Sequence, residues 1–124
     1  MILVNNYQKF GSFLKSKRKD REIAVRIMAE SVGISAGHYC DIESGRRSPT
    51  DRDFLDKAIH ILKLTGKDKQ ALYDLWGKAR SASPPDLTEY INESKAARIA
   101  LRIAKEKASD ADWQRFVDEL ERKG

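Results

Sequence analysis

Cysteine and histidine are scarce in this sequence: Cys40 is the single cysteine, and His38 and His60 are the two histidines. One cysteine excludes an intramolecular disulfide and fits a reducing compartment. These three residues do not have the spacing of a zinc site. A glycine-rich phosphate loop and a nucleophile with a neighbouring base are missing as well. We therefore expect no metal, no cofactor and no enzymatic activity.

Long apolar runs are also missing, because no stretch of about 18 uninterrupted apolar residues occurs. The apolar segment 1–4 is too short for the hydrophobic region of a signal peptide, and we expect it to pack as a small arm. The protein is therefore expected to be soluble and cytoplasmic, with no membrane partner.

The charge is positive and unevenly distributed. The 124 residues carry a formal net charge of +5. Residues 1–52 contribute +4, residues 53–82 contribute +2, and residues 83–124 contribute −1. An excess of lysine and arginine in the first part favours a polyanionic partner for that part of the chain.

The stretch 33–45 has the features of a short helix between two glycine stops. Gly33 can end one helix in a left-handed conformation, Ser35 can cap the next, and Gly45 can end it. Tyr39 and Ile42 are three residues apart and share one face. The opposite face carries short or hydrogen-bonding side chains, which can reach base edges in a DNA major groove. These base-reading candidates are Ala36, Gly37, His38, Cys40 and Asp41.

An apolar stripe of helical period, formed by Val25, Met28, Ala29 and Val32, lies directly upstream. Together with Gly33-Ile34-Ser35, Ile42-Glu43 and Gly45, it closely resembles the phage-repressor-like helix-turn-helix family (Cro/CI type, also called Xre). The resemblance covers about residues 7–64. It implies an all-α, five-helix lambda-repressor-like domain over residues 1–82, with the short helix between Ser35 and Gly45 as the recognition helix.

The resemblance also implies roles for charged residues. Arg18 matches the family arginine that pairs with the glutamate at Glu43, which ties the first helix to the recognition helix. Arg46 and Arg47 leave the recognition helix beside the DNA backbone and are the main phosphate-binding candidates. The further phosphate-binding candidates are Arg26, Ser35 and Lys17.

The second helix departs from the family pattern at its start. Ala24 stands where a serine or threonine cap is usual, and Val25 stands where a glutamine contacts DNA. A missing cap costs about 1 kcal/mol. Arg26 can supply a phosphate contact instead of the glutamine. Because Ala24, Val25, Ala36 and Gly37 are poor contact residues, a third interpretation stays open, in which the helix-turn-helix is vestigial.

Residues 83–124 are expected to form a helical C-terminal extension after an extended linker at Pro84-Pro85. Parts of this tail resemble the tails of some Gram-positive regulators of the same family. Its apolar stripes can fold back on the fifth helix or pair with a second copy, and the extended linker favours pairing. The dimer-interface candidates are Ile99, Ile103, Trp113, Phe116 and Leu120.

The leading interpretation is a transcriptional regulator, a repressor that binds double-stranded DNA at a palindromic operator as a homodimer. Such a protein would be cytoplasmic and associated with the nucleoid. The alternative is a protein-interaction module such as an antitoxin, which keeps a helix-turn-helix and holds a protein partner through its C-terminal helices.

Overall fold

The computed structural model describes residues 5–49 and 51–124, and within them every regular element is an α-helix. The all-α prediction is confirmed, whereas the predicted arm at residues 1–4 lies outside the described residues. The helices are α1 (Asn6–Asp20), α2 (Val25–Val32), α3 (Ala36–Ser44), α4 (Arg52–Leu62), α5 (Gly66–Ala79), α6 (Pro85–Glu93), α7 (Lys95–Lys107) and α8 (Asp110–Glu121).

The chain divides into two compact units, Met1–Asp86 and Leu87–Gly124, which are described separately below. The predicted boundary between residues 82 and 83 and the predicted roles of the two parts stay predictions.

A tight turn joins α2 to α3 in the first unit. Gly33 ends α2 with a φ of 78°, a left-handed conformation that glycine adopts without a Cβ clash. The hydroxyl of Ser35 then accepts a hydrogen bond from the backbone N–H of His38 at 3.1 Å. Gly45 ends α3 with a φ of 81°. The predictions of all three helix-end residues are confirmed. Ala24 precedes α2 and provides no side-chain cap, because the methyl group of alanine cannot accept a hydrogen bond.

The core of the first unit forms where α1 packs against α3 and α5, and where α2 packs against α3 and α4. Its fully buried large helical side chains come from all five helices: Phe10, Leu14, Met28, Tyr39, Ile42, Phe54, Leu55, Leu62 and Leu72. Gly11 lies at a close contact between α1 and α3. A Cβ added there would overlap the carbonyl oxygens of Ile42 and Glu43. Glycine is therefore required at this crossing.

The segment between α5 and α6 differs from the predicted extended linker. The backbone N–H of Ala82 donates to the carbonyl of Gly77 at 2.8 Å, so the chain turns back at the end of α5. A Cβ at Gly77 would lie 2.9 Å from the Ala82 oxygen and 3.0 Å from the Pro84 nitrogen. Pro85 is buried and begins α6, a position that suits proline because the first N–H of a helix has no intrahelical partner. The prediction of an extended linker was wrong, because it considered the prolines alone and not the space that Gly77 leaves for the chain.

The second unit consists of most of α6 with α7 and α8. Ser94 caps α7, and Ser109 and Asp112 form a reciprocal capping box at the start of α8. The guanidinium of Arg98 donates to the carbonyls of Ile91 and Asn92 at 2.9 and 2.5 Å. These contacts satisfy carbonyl oxygens at the end of α6. In the described part of the chain, no helix is both long and apolar enough to cross a membrane.

Candidate nucleic-acid interface

The outer face of α3 carries the five residues predicted to read bases. Ala36, Gly37 and Cys40 are exposed, and His38 and Asp41 are partly exposed. A Cβ at Gly37 would meet nothing within 4 Å, so the space above this position is open. The opposite face is buried through Tyr39 and Ile42. The helix therefore presents a narrow, small-residue surface to the outside.

Two arginines and one carboxylate form a cluster where α3 ends. The Nε atoms of Arg46 and Arg47 lie 3.3 and 3.5 Å from the two carboxylate oxygens of Asp41. Their backbone N–H groups both donate to the Asp41 carbonyl, at 2.9 and 3.2 Å. The arginine side chains are 73% and 57% exposed, so these ion pairs are worth at most about 1 kcal/mol each. Phosphate oxygens can therefore compete with Asp41 for either guanidinium group.

Asp41 has a second role besides the predicted one. Its carboxylate was predicted to read bases, which stays a prediction, and in the structure it pairs with the two residues predicted to bind phosphate. A carboxylate between two guanidinium groups fixes the arginines near α3 and partly neutralises them. Asp41 therefore has a positioning role in the free protein, one that the helical pattern alone did not indicate.

Arg18 and Glu43 join α1 to α3 through a bidentate ion pair. The Arg18 Nε and Nη2 atoms donate to the two Glu43 oxygens at 2.7 and 3.1 Å. Arg18 Nη1 also donates to the carbonyl of Ile23 at 2.9 Å. The two side chains are only 11% and 8% exposed. The hydrogen bond to Glu43 raises the pKa of Arg18, so the guanidinium group stays charged and the pair holds α3 in place.

The hydroxyl of Tyr39 lies inside the same packed region. It is buried and has no hydrogen-bond partner among the described residues. Burial raises the pKa of Tyr39 well above its usual value of 10.0, because the phenolate would lose its hydration. The neighbouring Glu43 carboxylate raises it further.

The remaining phosphate-binding candidates lie in different surroundings. Arg26 is exposed on the first turn of α2, and the Ser35 hydroxyl, which accepts from His38, can still donate its own proton outward. Lys17 lies 3.2 Å from the Asp68 carboxylate of α5 and also contacts the Phe13 ring. The structure thus directs Lys17 towards α5 and does not bring it to the arginine cluster.

Sequence reasoning missed Gly11 and Gln8, which set the position of α3 against α1. Gly11 allows the close crossing described above. A Cβ at Gly45 would lie 2.8 Å from the Gln8 Cα atom, so the end of α3 abuts the start of α1. A glycine inside the apolar pattern of the first helix was the available signal, since a helix-interior glycine often marks a close approach.

The fold and this cluster define an all-helical protein in which one short helix, α3, is held by a buried ion pair and ends in a basic loop. A protein similar to this chain is the ImmF control region 10 kDa protein of Bacillus phage phi105. The two are 33% identical over 64 residues, which cover 47% of this chain and 71% of the phage protein. At this identity and coverage, the chain belongs to the same family as that phage protein, a relationship consistent with a regulatory role. No protein-family model matches the chain, and no solved structure matches it.

Proposed function

We propose that this protein is a transcriptional regulator of the phage-repressor-like (Xre) helix-turn-helix type, which binds double-stranded DNA sequence-specifically and has no enzymatic activity. In this proposal α2 and α3 form the helix-turn-helix within a lambda-repressor-like domain made of α1–α5. The protein acts as a repressor and binds a palindromic operator as a homodimer, in the cytoplasm at the nucleoid.

The observation that carries the proposal is the combination of a small-residue outer face on α3 with the exposed arginines that follow it. A major groove is about 12 Å wide and admits an α-helix. The short side chains of Ala36, Gly37 and Cys40 project little from this face of α3. Arg46 and Arg47 then lie where the DNA backbone would run beside the helix, and the control-region name of the phage relative agrees with a regulatory role.

Within this interface the side chains have different tasks. His38 offers a donor and an acceptor to base edges. Asp41 can release its arginines to phosphates and accept from cytosine N4. Ser35 and Arg26 add phosphate contacts at the start of α3 and α2. The ion pair between Arg18 and Glu43 already holds α3 in place, so DNA binding costs less conformational entropy.

The test compares three single-charge variants on operator DNA selected from a random duplex pool. Arg46→Ala and Arg47→Ala should each weaken binding to all duplexes and lower the slope of log affinity against log salt by about one. Lys67→Ala is the matched control, because it removes one exposed positive charge on α5 that is not among the DNA-contact candidates. The selected sequences should form an inverted repeat.

Two results would contradict the proposal. One is a protein that enriches no sequence from the pool. The other is an Arg47→Ala variant whose affinity and salt slope equal those of Lys67→Ala, because the arginine cluster would then contact no phosphate.

A second candidate function is an antitoxin-type module that binds a protein partner through residues 87–124. The observation in its favour is an open apolar groove of about 470 Å³ in the second unit. The groove is lined mainly by side chains of α6, α7 and α8, among them Tyr90, Leu101, Trp113 and Phe116.

A further inference from the structure

The helices of the second unit leave large apolar side chains in contact with solvent. Neither α7 nor α8, both of which the structure describes in full, contains a buried residue. Exposure ranges from 37% for Trp113 to 55% for Ile103. The other exposed large side chains on these two helices are Ile99, Leu101, Phe116, Val117 and Leu120. A contiguous exposed apolar surface of this kind indicates an interface.

The two helices carry opposite charges. Helix α7 has five basic residues and one acidic residue, which gives a net charge of +4. Helix α8 has five acidic residues and one basic residue, which gives −4. The apolar face of each helix is therefore bordered by charges of a single predominant sign.

Helical spacing places these charges along both edges of the apolar faces. On α7, Arg102 and the single acidic residue, Glu106, border the face near Ile99, and Lys105 borders it near Leu101. On α8, Glu119 follows the Phe116 edge and Glu121 follows the opposite edge. An α7 face can therefore meet an α8 face with apolar side chains in the centre and opposite charges on both rims.

These rim charges are not used within one copy of the chain. Among the described residues, no salt bridge joins α7 to α8. Asp112 pairs with Arg115 inside α8, and Arg98 binds carbonyls of α6. The complementarity therefore remains available to a partner.

We infer that the partner is a second copy of this chain, and that α7 of each copy packs against α8 of the other. A pairing of α7 with α7 would bring +4 against +4, and a pairing of α8 with α8 would bring −4 against −4. The crossed arrangement places opposite charges together, and a twofold axis produces the contact twice. It deepens the proposed function and rests on its homodimer, but it does not depend on DNA binding.

The test is a charge exchange measured by sedimentation equilibrium without DNA. The first variant carries Arg102→Glu and Lys105→Glu, and the second carries Glu119→Lys and Glu121→Lys. In either homodimer, the altered charges meet like charges in both symmetric contacts. Dimerisation of each variant alone should weaken by about tenfold or more at low salt.

An equimolar mixture of the two variants should recover dimers close to wild-type affinity. In that heterodimer, one contact is the wild-type pairing, and the other joins the new glutamates of α7 to the new lysines of α8, so opposite rim charges meet in both contacts. Asp118→Lys is the matched control, because helical spacing places Asp118 opposite the apolar stripe of α8. This variant should dimerise like the wild type.

Three outcomes would overturn the inference: a wild-type protein that is monomeric, variants that dimerise as tightly as the wild type, or a mixture that forms no heterodimer. If α7 and α8 instead paired within one chain, each variant would lose thermal stability and mixing would restore nothing. DNA binding is measured separately on the Arg47→Ala variant. If the protein dimerises as expected but enriches no duplex from the pool, the inferred dimer interface stands and only the proposed DNA-binding function is refuted.

Discussion

Removal of the Arg18 side chain should destabilise the first unit more than removal of any exposed charged side chain. Arg18→Ala leaves the Glu43 carboxylate in a site where that side chain is only 8% exposed. It also removes the donor to the Ile23 carbonyl. The carboxylate then loses both of its arginine hydrogen bonds, which measure 2.7 and 3.1 Å.

The expected magnitude follows from the burial of the pair. Loss of one partner from a buried ion pair costs about 3–5 kcal/mol, because the remaining charge is neither hydrated nor paired. Both side chains keep some contact with water, so we expect a loss of about 3 kcal/mol, near the lower end of that range. Removal of both charges by Arg18→Met with Glu43→Leu should cost much less, since no charge is then left buried.

The assay is urea denaturation followed by tryptophan fluorescence in a Trp113→Phe background, where Trp76 in α5 is the remaining tryptophan and reports on the first unit. The control is Arg115→Ala, which breaks the exposed ion pair with Asp112 and should change the free energy of unfolding by less than about 1 kcal/mol. Equal midpoints for Arg18→Ala and Arg115→Ala would refute the reasoning. So would a double variant less stable than Arg18→Ala.

Two further predictions concern α3. Burial raises the pKa of Tyr39, so above about pH 10 the unfolded chain releases a proton that the folded protein keeps. The free energy of unfolding should therefore be unaffected by this group below pH 10 and fall by about 1.4 kcal/mol per pH unit above it. Denaturation curves of Tyr39→Phe should lack that component, and identical alkaline slopes would contradict the assignment. Gly37→Ala should raise the urea midpoint, with about 0.5–1 kcal/mol of added stability, because alanine favours the helix and its Cβ has open space. A lower midpoint would show that the position is not open.

Much of the first unit was predictable because its signals are local. Gly33, Ser35 and Gly45 each act on backbone groups a few residues away, so their roles follow from neighbouring positions in the chain. The apolar spacing within each helix likewise predicted which faces are buried, including Tyr39 and Ile42. The pairing of Arg18 with Glu43 was expected from the family resemblance and not from any pattern within the sequence.

Contacts between distant segments had to come from the tertiary structure. The requirement for glycine at Gly11 depends on the distance between α1 and the α3 backbone, which no local pattern specifies. The two prolines after α5 suggested an extended linker, yet Gly77 provides space for the chain to turn back.

The sequence by itself determined the turn between α2 and α3, the ends of α3 and the apolar faces of these two helices, because each depends on interactions within about four residues along the chain. The tertiary structure decided which charged groups meet: Asp41 with both arginines after α3, and Lys17 with Asp68 on α5. The physical reason is that long charged side chains have several partners within reach. The partner that each one takes depends on how the helices and the chain that follows them pack in three dimensions.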